Sequence, residues 1–184
     1  MAAPDYCAAA RASRTGRRST RRRAWPAGLV AAAALALLPV AAPAAAASNK
    51  VRITQLSDVA FGTIANLGQD AVQSQSLCLY SDSATNGYHV TASGTGPGGA
   101  FELSSGAGVL AYEVQWSSSA AQSSGVQLWP NVPLSGQVSA ATQQTCNNGP
   151  ASSASLILIL RAAALSGATA GSYNGTLTLL VGPE

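Results

Sequence analysis

From Ser48 onward the chain alternates short runs of apolar and polar residues with turn residues between them, the pattern of an all-β sandwich. Val51 and Ile53 predict one short strand, and VAFGTI (59–64) predicts a second. VQSQSLCLY (72–80) turns wholly apolar at its end, and GYHVTAS (87–93) follows the turn dipeptide Asn86-Gly87. TGPGG (95–99) reads as a turn leading into AFELS (100–104). The cleanest alternation is VLAYEVQW (109–116): Leu110, Tyr112, Val114 and Trp116 face one way, Ala111, Glu113 and Gln115 the other. Two prolines confine VQLWPNVPLSG (126–136) to an edge or an irregular connection. ASLILILRA (154–162) is apolar on both faces and so predicts a central strand. One helical turn fits 162–171 before a last strand, for a total of roughly seven to nine strands.

The last strand poses a physical problem. In GSYNGTLTLLVGPE (171–184), Tyr173, Gly175, Leu177, Leu179 and Val181 share one face, while Asn174, Thr176, Thr178 and Leu180 share the other. A strand this apolar belongs inside a sheet with a neighbour on each side. The sequence stops at Glu184, so one neighbour is expected from elsewhere.

Residues 1–47 read as an export signal. An Arg-rich start precedes the apolar run AGLVAAAALALLPVAA (27–42), and Ala45-Ala46-Ala47 places cleavage between Ala47 and Ser48. The run is short, Ala-rich and interrupted by Pro39 and Pro43, which suits a signal better than a membrane span. TRRRAW lacks the hydrophobic residue expected after a twin-arginine pair, so the general secretory route is expected. The leader also explains the basic sequence pI of about 9.0. Seven of the ten basic residues lie between Arg11 and Arg23. Beyond Ser48, Lys50, Arg52 and Arg161 face six carboxylates, a net charge of −3. No Lys/Arg cluster remains to neutralise phosphates, and nucleic-acid binding is excluded from the expected functions.

Cysteine use agrees with export. Cys7 leaves with the leader, and Cys78 and Cys146 are expected to pair as a disulfide, the other reading being two buried thiols. Catalytic chemistry is sparse. His89 is the single histidine, no GxSxG elbow accompanies the many serines, and the carboxylates have no calcium-loop spacing. GTGPGG (94–99) lacks the following helix that a phosphate loop requires. Glu102 and Glu113 are expected near each other across a hairpin, without the cleft a glycosidase needs. No enzyme activity, cofactor or metal is expected. Tyr112 and Trp116 belong to the core, while Trp129, beside Pro130, is the aromatic available for a surface role.

VAFGTI, SLCLYSD, GYHVTASG, GAFELSSGAGVLAYEVQW, the second cysteine in TCNNG and the terminal AGSYNGTLTLLVGPE together resemble the spore coat protein U domain. That domain also forms the secreted pilins of archaic (Csu-type) chaperone–usher systems. The resemblance covers essentially the whole chain beyond the expected signal, in order, with residues 59–184 as the domain itself. It implies an incomplete immunoglobulin-like β-sandwich, completed by a donor strand from another chain. A periplasmic chaperone would lend the strand first, and another pilin subunit would supply it at the outer-membrane usher. By position, Tyr173, Leu177, Leu179 and Val181 would line the receiving groove. Residues 48–58 would form an N-terminal extension shorter than that of the family's major pilins, with Val51 and Ile53 as its only clean alternating apolar pair. The resemblance then implies either a minor subunit with this short donor segment or a tip subunit that donates nothing. The product would be exported through the periplasm to the cell surface, as pilus or coat. The competing expectation is a self-contained secreted β-sandwich that binds carbohydrate through Trp129.

Overall fold

The computed structural model describes residues 49–106 and 108–184; the expected signal segment and its cleavage site at Ala47 and Ser48 lie outside them. Among the described residues ten strands form, one more than the upper expectation: β1 (Val51–Thr54), β2 (Ala71–Ser81), β3 (Gly87–Ser93), β4 (Glu102–Ser105), β5 (Gly108–Ala111), β6 (Glu113–Ser117), β7 (Val126–Gln127), β8 (Leu134–Val138), β9 (Ala154–Leu160) and β10 (Thr178–Pro183). One short helix, α1 (Ala162–Ser166), stands where a single turn was expected.

A five-stranded sheet in the order β1-β2-β9-β6-β7 packs against a three-stranded sheet in the order β10-β3-β8, with a separate β4-β5 hairpin. All the ladders are antiparallel. The core lies between the two sheets. Leu77, Leu79, Val114, Trp116, Leu156 and Leu158 point inward from the first, and Tyr88, Val90 and Ala92 from the second. β9 is central, as its two apolar faces predict, and every one of its residues is buried. Trp116 crosses the core edge-on to Tyr88, its Nε1 donating to the Tyr88 hydroxyl at 3.0 Å, so the one polar atom of the indole is satisfied where it is fully buried. Burial pushes the Tyr88 hydroxyl up to about 12, against the opposing effect of that bond.

Two sequence expectations change here. The alternation over 109–116 is one inward face but two strands. β5 pairs with β4 and β6 with β9, so the chain passes from the hairpin to the large sheet at Tyr112. Leu110, Tyr112, Val114 and Trp116 are nevertheless all buried. Residues 59–64 form no strand. Gly62 adopts φ 65°, which breaks an extended run, and the half-buried positions are Val59, Phe61 and Ile64 rather than a strict alternation.

The strand orders give the architecture. Immunoglobulin sandwiches place strands A, B, E and D in one sheet and C, F and G in the other. Taking β1, β2, β3, β6, β9 and β10 as A to F reproduces A-B-E-D as β1-β2-β9-β6 and places C and F together as β3 and β10. Among the described residues the seventh position, G, beside β10, is empty.

Candidate functional site: an open sheet edge over an apolar groove

β10 pairs with β3 alone, in the register Thr178↔Ser93 to Pro183↔Tyr88. The Glu184 N–H bonds the Gly87 carbonyl at 3.1 Å, which sets the phase of the ladder. Gly182, Leu180 and Thr178 therefore direct their backbone groups at β3, and Leu179 and Val181 direct theirs outward. Among the described residues those outward groups have no backbone partner. Pro183, on the same outward side, has no N–H to offer, so the free edge closes there.

Beside this edge lies a groove of about 1090 Å³. Leu156, Leu158 and Leu160 form its floor, with Leu110 and Tyr112 at one end. Burial raises the pKa of the Tyr112 hydroxyl. One wall runs from Ala168 through Tyr173 and Leu177 to Leu179. The opposite wall is the segment from Leu56 to Leu67, the chain between β1 and β2. Val59, Phe61 and Ile64 hold that wall down by packing against the core. Its backbone makes no backbone–backbone hydrogen bond among the described residues. Gln75 of β2 anchors it instead: its Oε1 accepts from the Ser57 N–H (3.1 Å) and hydroxyl (3.0 Å), and its Nε2 donates to the Ser57 carbonyl (3.2 Å). Two backbone edges thus flank an apolar trough, each offering hydrogen-bonding groups to a strand laid between them.

Of the four residues expected along the groove, Tyr173, Leu177 and Leu179 line it. Val181 points the same way but packs on the main core beyond the groove. The ladder of β10 starts only at Thr178; before it, Asn174 makes an isolated bridge to Ser104, and the Tyr173 hydroxyl donates to the Thr169 carbonyl at 2.8 Å. Gly175 passes against the Glu102 carbonyl and Leu103, where an added Cβ would come within 2.8 Å of the former. Val51 and Ile53, expected as one short strand and as the apolar pair of the N-terminal extension, lie in β1, paired with β2 and packed on the core. Cys78 and Cys146 are joined in a disulfide that ties β2 to the 139–149 loop.

The remaining candidates are separate. Glu113 does not converge with Glu102; it pairs with Arg161 at 2.5 Å, and Arg161 also pairs with Asp70 at 2.7 Å. Both carboxylates raise the Arg161 pKa. His89 lies against Gly182 on the outer face of the small sheet, 3.6 Å from the Glu184 carboxylate. Trp129 is 61% exposed. It starts a turn closed by the Val132 N–H on the Trp129 carbonyl at 3.1 Å, with Pro130 second and Asn131 third at φ 60°. No group of three His, Cys, Asp or Glu residues converges among the described residues. Sequence reasoning missed Gln75, Ser57 and the 56–67 wall; the only signal for the wall was the apolar trio Val59, Phe61 and Ile64, read as a strand.

No family model matches the chain, and no curated protein is found similar to it. Among solved structures, similarity is found to a chaperone–tip adhesin complex of CFA/I fimbriae biogenesis, at 15% identity and a TM-score of 0.47, covering 74% of this chain and 41% of that one. It is also found to the CsuC–CsuE chaperone–tip adhesion subunit pre-assembly complex of archaic Csu pili from Acinetobacter baumannii, at 21% identity and a TM-score of 0.40, covering 73% and 40%. The chain thus spans about two fifths of the length of each matched structure.

Proposed function

We propose that this protein is a structural subunit of a secreted surface pilus or coat, assembled by donor-strand complementation. The observation that carries the reading is the seventh strand position left vacant among the described residues, where an F-like edge strand and a second edge without backbone partners flank an apolar trough. Such an edge in water pairs with any compatible strand, so a subunit built this way needs a protector during transit and a permanent partner afterwards. A periplasmic chaperone serves as the first, and the outer-membrane usher oversees exchange for a strand of another pilin subunit. Leu177 and Leu179 contact the incoming side chains while Leu179 and Val181 present backbone groups to it. The disulfide suits an exported domain. The protein has no catalytic role in this scheme and needs no cofactor.

The test is co-production of the precursor with a chaperone of such a system. A soluble one-to-one complex is expected from the natural chain. Leu177→Asp/Leu179→Asp loses it, because a carboxylate buried in the trough has no partner. Circular dichroism of the variant separates loss of the groove from loss of the fold. A natural chain that is soluble and monomeric without any partner strand contradicts the proposal.

A second reading is favoured by one observation. Trp129 is held outward on a turn whose Asn131 amide donates to the Gly98 carbonyl at 2.7 Å, a rigid aromatic platform of the kind that stacks on sugars. Titration with soluble oligosaccharides, read by indole fluorescence, tests it: Trp129→Ala abolishes any response if the platform binds.

A further inference from the structure

The groove defines an acceptor, and the same structure addresses whether the chain also donates. Resting on the donor-strand reading above, we propose that this subunit accepts a strand but donates none, and so occupies an end of the assembled fibre rather than its interior.

From Lys50 on, the backbone is committed to its own domain. The Lys50 N–H bonds the Asp82 carboxylate at 2.5 Å, and the Asp82 N–H bonds the Lys50 carbonyl at 3.0 Å. Val51 to Thr54 then pair with Ser81 to Cys78. Val51 and Ile53 pack against the core of the same domain, at the place where an immunoglobulin sandwich has strand A. Releasing β1 to serve another copy would strip the edge of β2 and uncover the core beneath it. The donor would then undo its own fold.

Length gives an independent reason. The groove wall from Tyr173 to Leu179 covers six residue steps, or about 20 Å of extended chain. β1 has four residues, three steps or about 10 Å, with two inward apolar side chains. A strand that filled the groove would need an inward side chain at every second position along the floor of Leu156, Leu158 and Leu160. β1 cannot reach both ends. The next segment, 55–67, is already the opposite wall. An arm able to donate must therefore lie upstream of Lys50, and cleavage at the expected place leaves only Ser48 and Asn49 there.

The experiment exports the full precursor together with a chaperone and compares the natural chain with one carrying an inserted arm. The arm, about ten residues of alternating Thr and Val, goes between Asn49 and Lys50. Purified complexes are incubated and run unboiled in detergent, and intact mass gives each mature N-terminus. The natural chain is expected to start near Ser48 and to form no ladder of self-assembled copies. The armed chain is expected to change from a single band to a ladder. A ladder from the natural chain, with residues 48–54 cross-linking to 173–179 of the next copy, overturns the inference and leaves the groove reading standing. A mature chain retaining a long apolar arm before Lys50 that assembles through it overturns the inference equally. If the armed chain forms no ladder and no chaperone complex is recovered, the groove reading falls and takes the inference with it.

Discussion

Gln75→Ala isolates what holds the groove open. The side chain of Gln75 substitutes for a strand ladder: its amide makes three hydrogen bonds to Ser57, at 3.0, 3.1 and 3.2 Å. A neutral hydrogen bond contributes about 1 kcal/mol net, less where water competes, so removing the amide should cost about 1–2 kcal/mol. The loss is local, because Val59, Phe61 and Ile64 still pack on the core. It should appear as a lower opening free energy at Ser57, whose N–H the Gln75 Oε1 accepts, and exchange of that amide should quicken roughly five- to thirtyfold. Amides of β9, at the centre of the large sheet, should follow only the small change in global stability. Hydrogen-exchange mass spectrometry on the complex with a donor peptide measures both. Unchanged exchange at Ser57 would refute the reasoning and assign the wall to its apolar contacts alone. Uniformly faster exchange would instead make Gln75 a global core residue.

Three further outcomes follow from the same structure. Replacing Cys78 and Cys146 together by alanine opens a loop of 68 residues, which on the chain-entropy model costs about 4 kcal/mol; a denaturant midpoint shifted by less than a quarter of that would show that residual structure already closes the loop. Asp70 is held below the usual carboxylate range by the Ala162 N–H and then Arg161, and Glu184 by the Gly136 N–H, the Ser135 hydroxyl and His89. Both therefore add stability that is fully present above the unfolded carboxylate pKa near ~4 and is lost as pH falls through the depressed folded values; a melting temperature flat from neutral pH to below ~3 contradicts this, and Asp70→Asn should remove part of the slope. Trp116→Phe leaves the Tyr88 hydroxyl without its buried donor and empties part of the core, for a loss of about 2–4 kcal/mol read by chemical denaturation, against less than about 0.5 kcal/mol for exposed Trp129→Phe.

Side-chain facing was more legible in the sequence than strand pairing. The bounds of β3 and the central place of β9 followed from local signals: a turn dipeptide before Gly87 and a run apolar on both faces. The inward face of 109–116 was also legible, but alternation reports which side a residue points to and not which strand bonds it. The sheet change at Tyr112 was therefore invisible. The same limit applies to the C-terminal run, where Tyr173 and Leu177 face the groove although the ladder begins at Thr178. Val51 and Ile53 were legible as one short strand, but not its pairing, because the partner, Ser81 to Cys78, lies far along the chain. VAFGTI misled through Gly62, whose positive φ shifts the inward period from Phe61 to Ile64. Gln75–Ser57 and the Arg161 pairs join residues 18, 48 and 91 positions apart, and no local pattern announces them.

The central claim is that β10 lacks a neighbour that another chain supplies. It is tested most directly by giving the chain that neighbour in cis: a flexible linker after Glu184 followed by a donor strand of alternating apolar residues, compared with the unmodified chain by light scattering and thermal melting. The account predicts that the extended protein is a monomer and melts well above the unmodified chain, which aggregates or polymerises on its own, and that Leu179→Asp erases the gain. An unmodified chain that is already a stable monomer, with a melting temperature indifferent to the added strand, would contradict it.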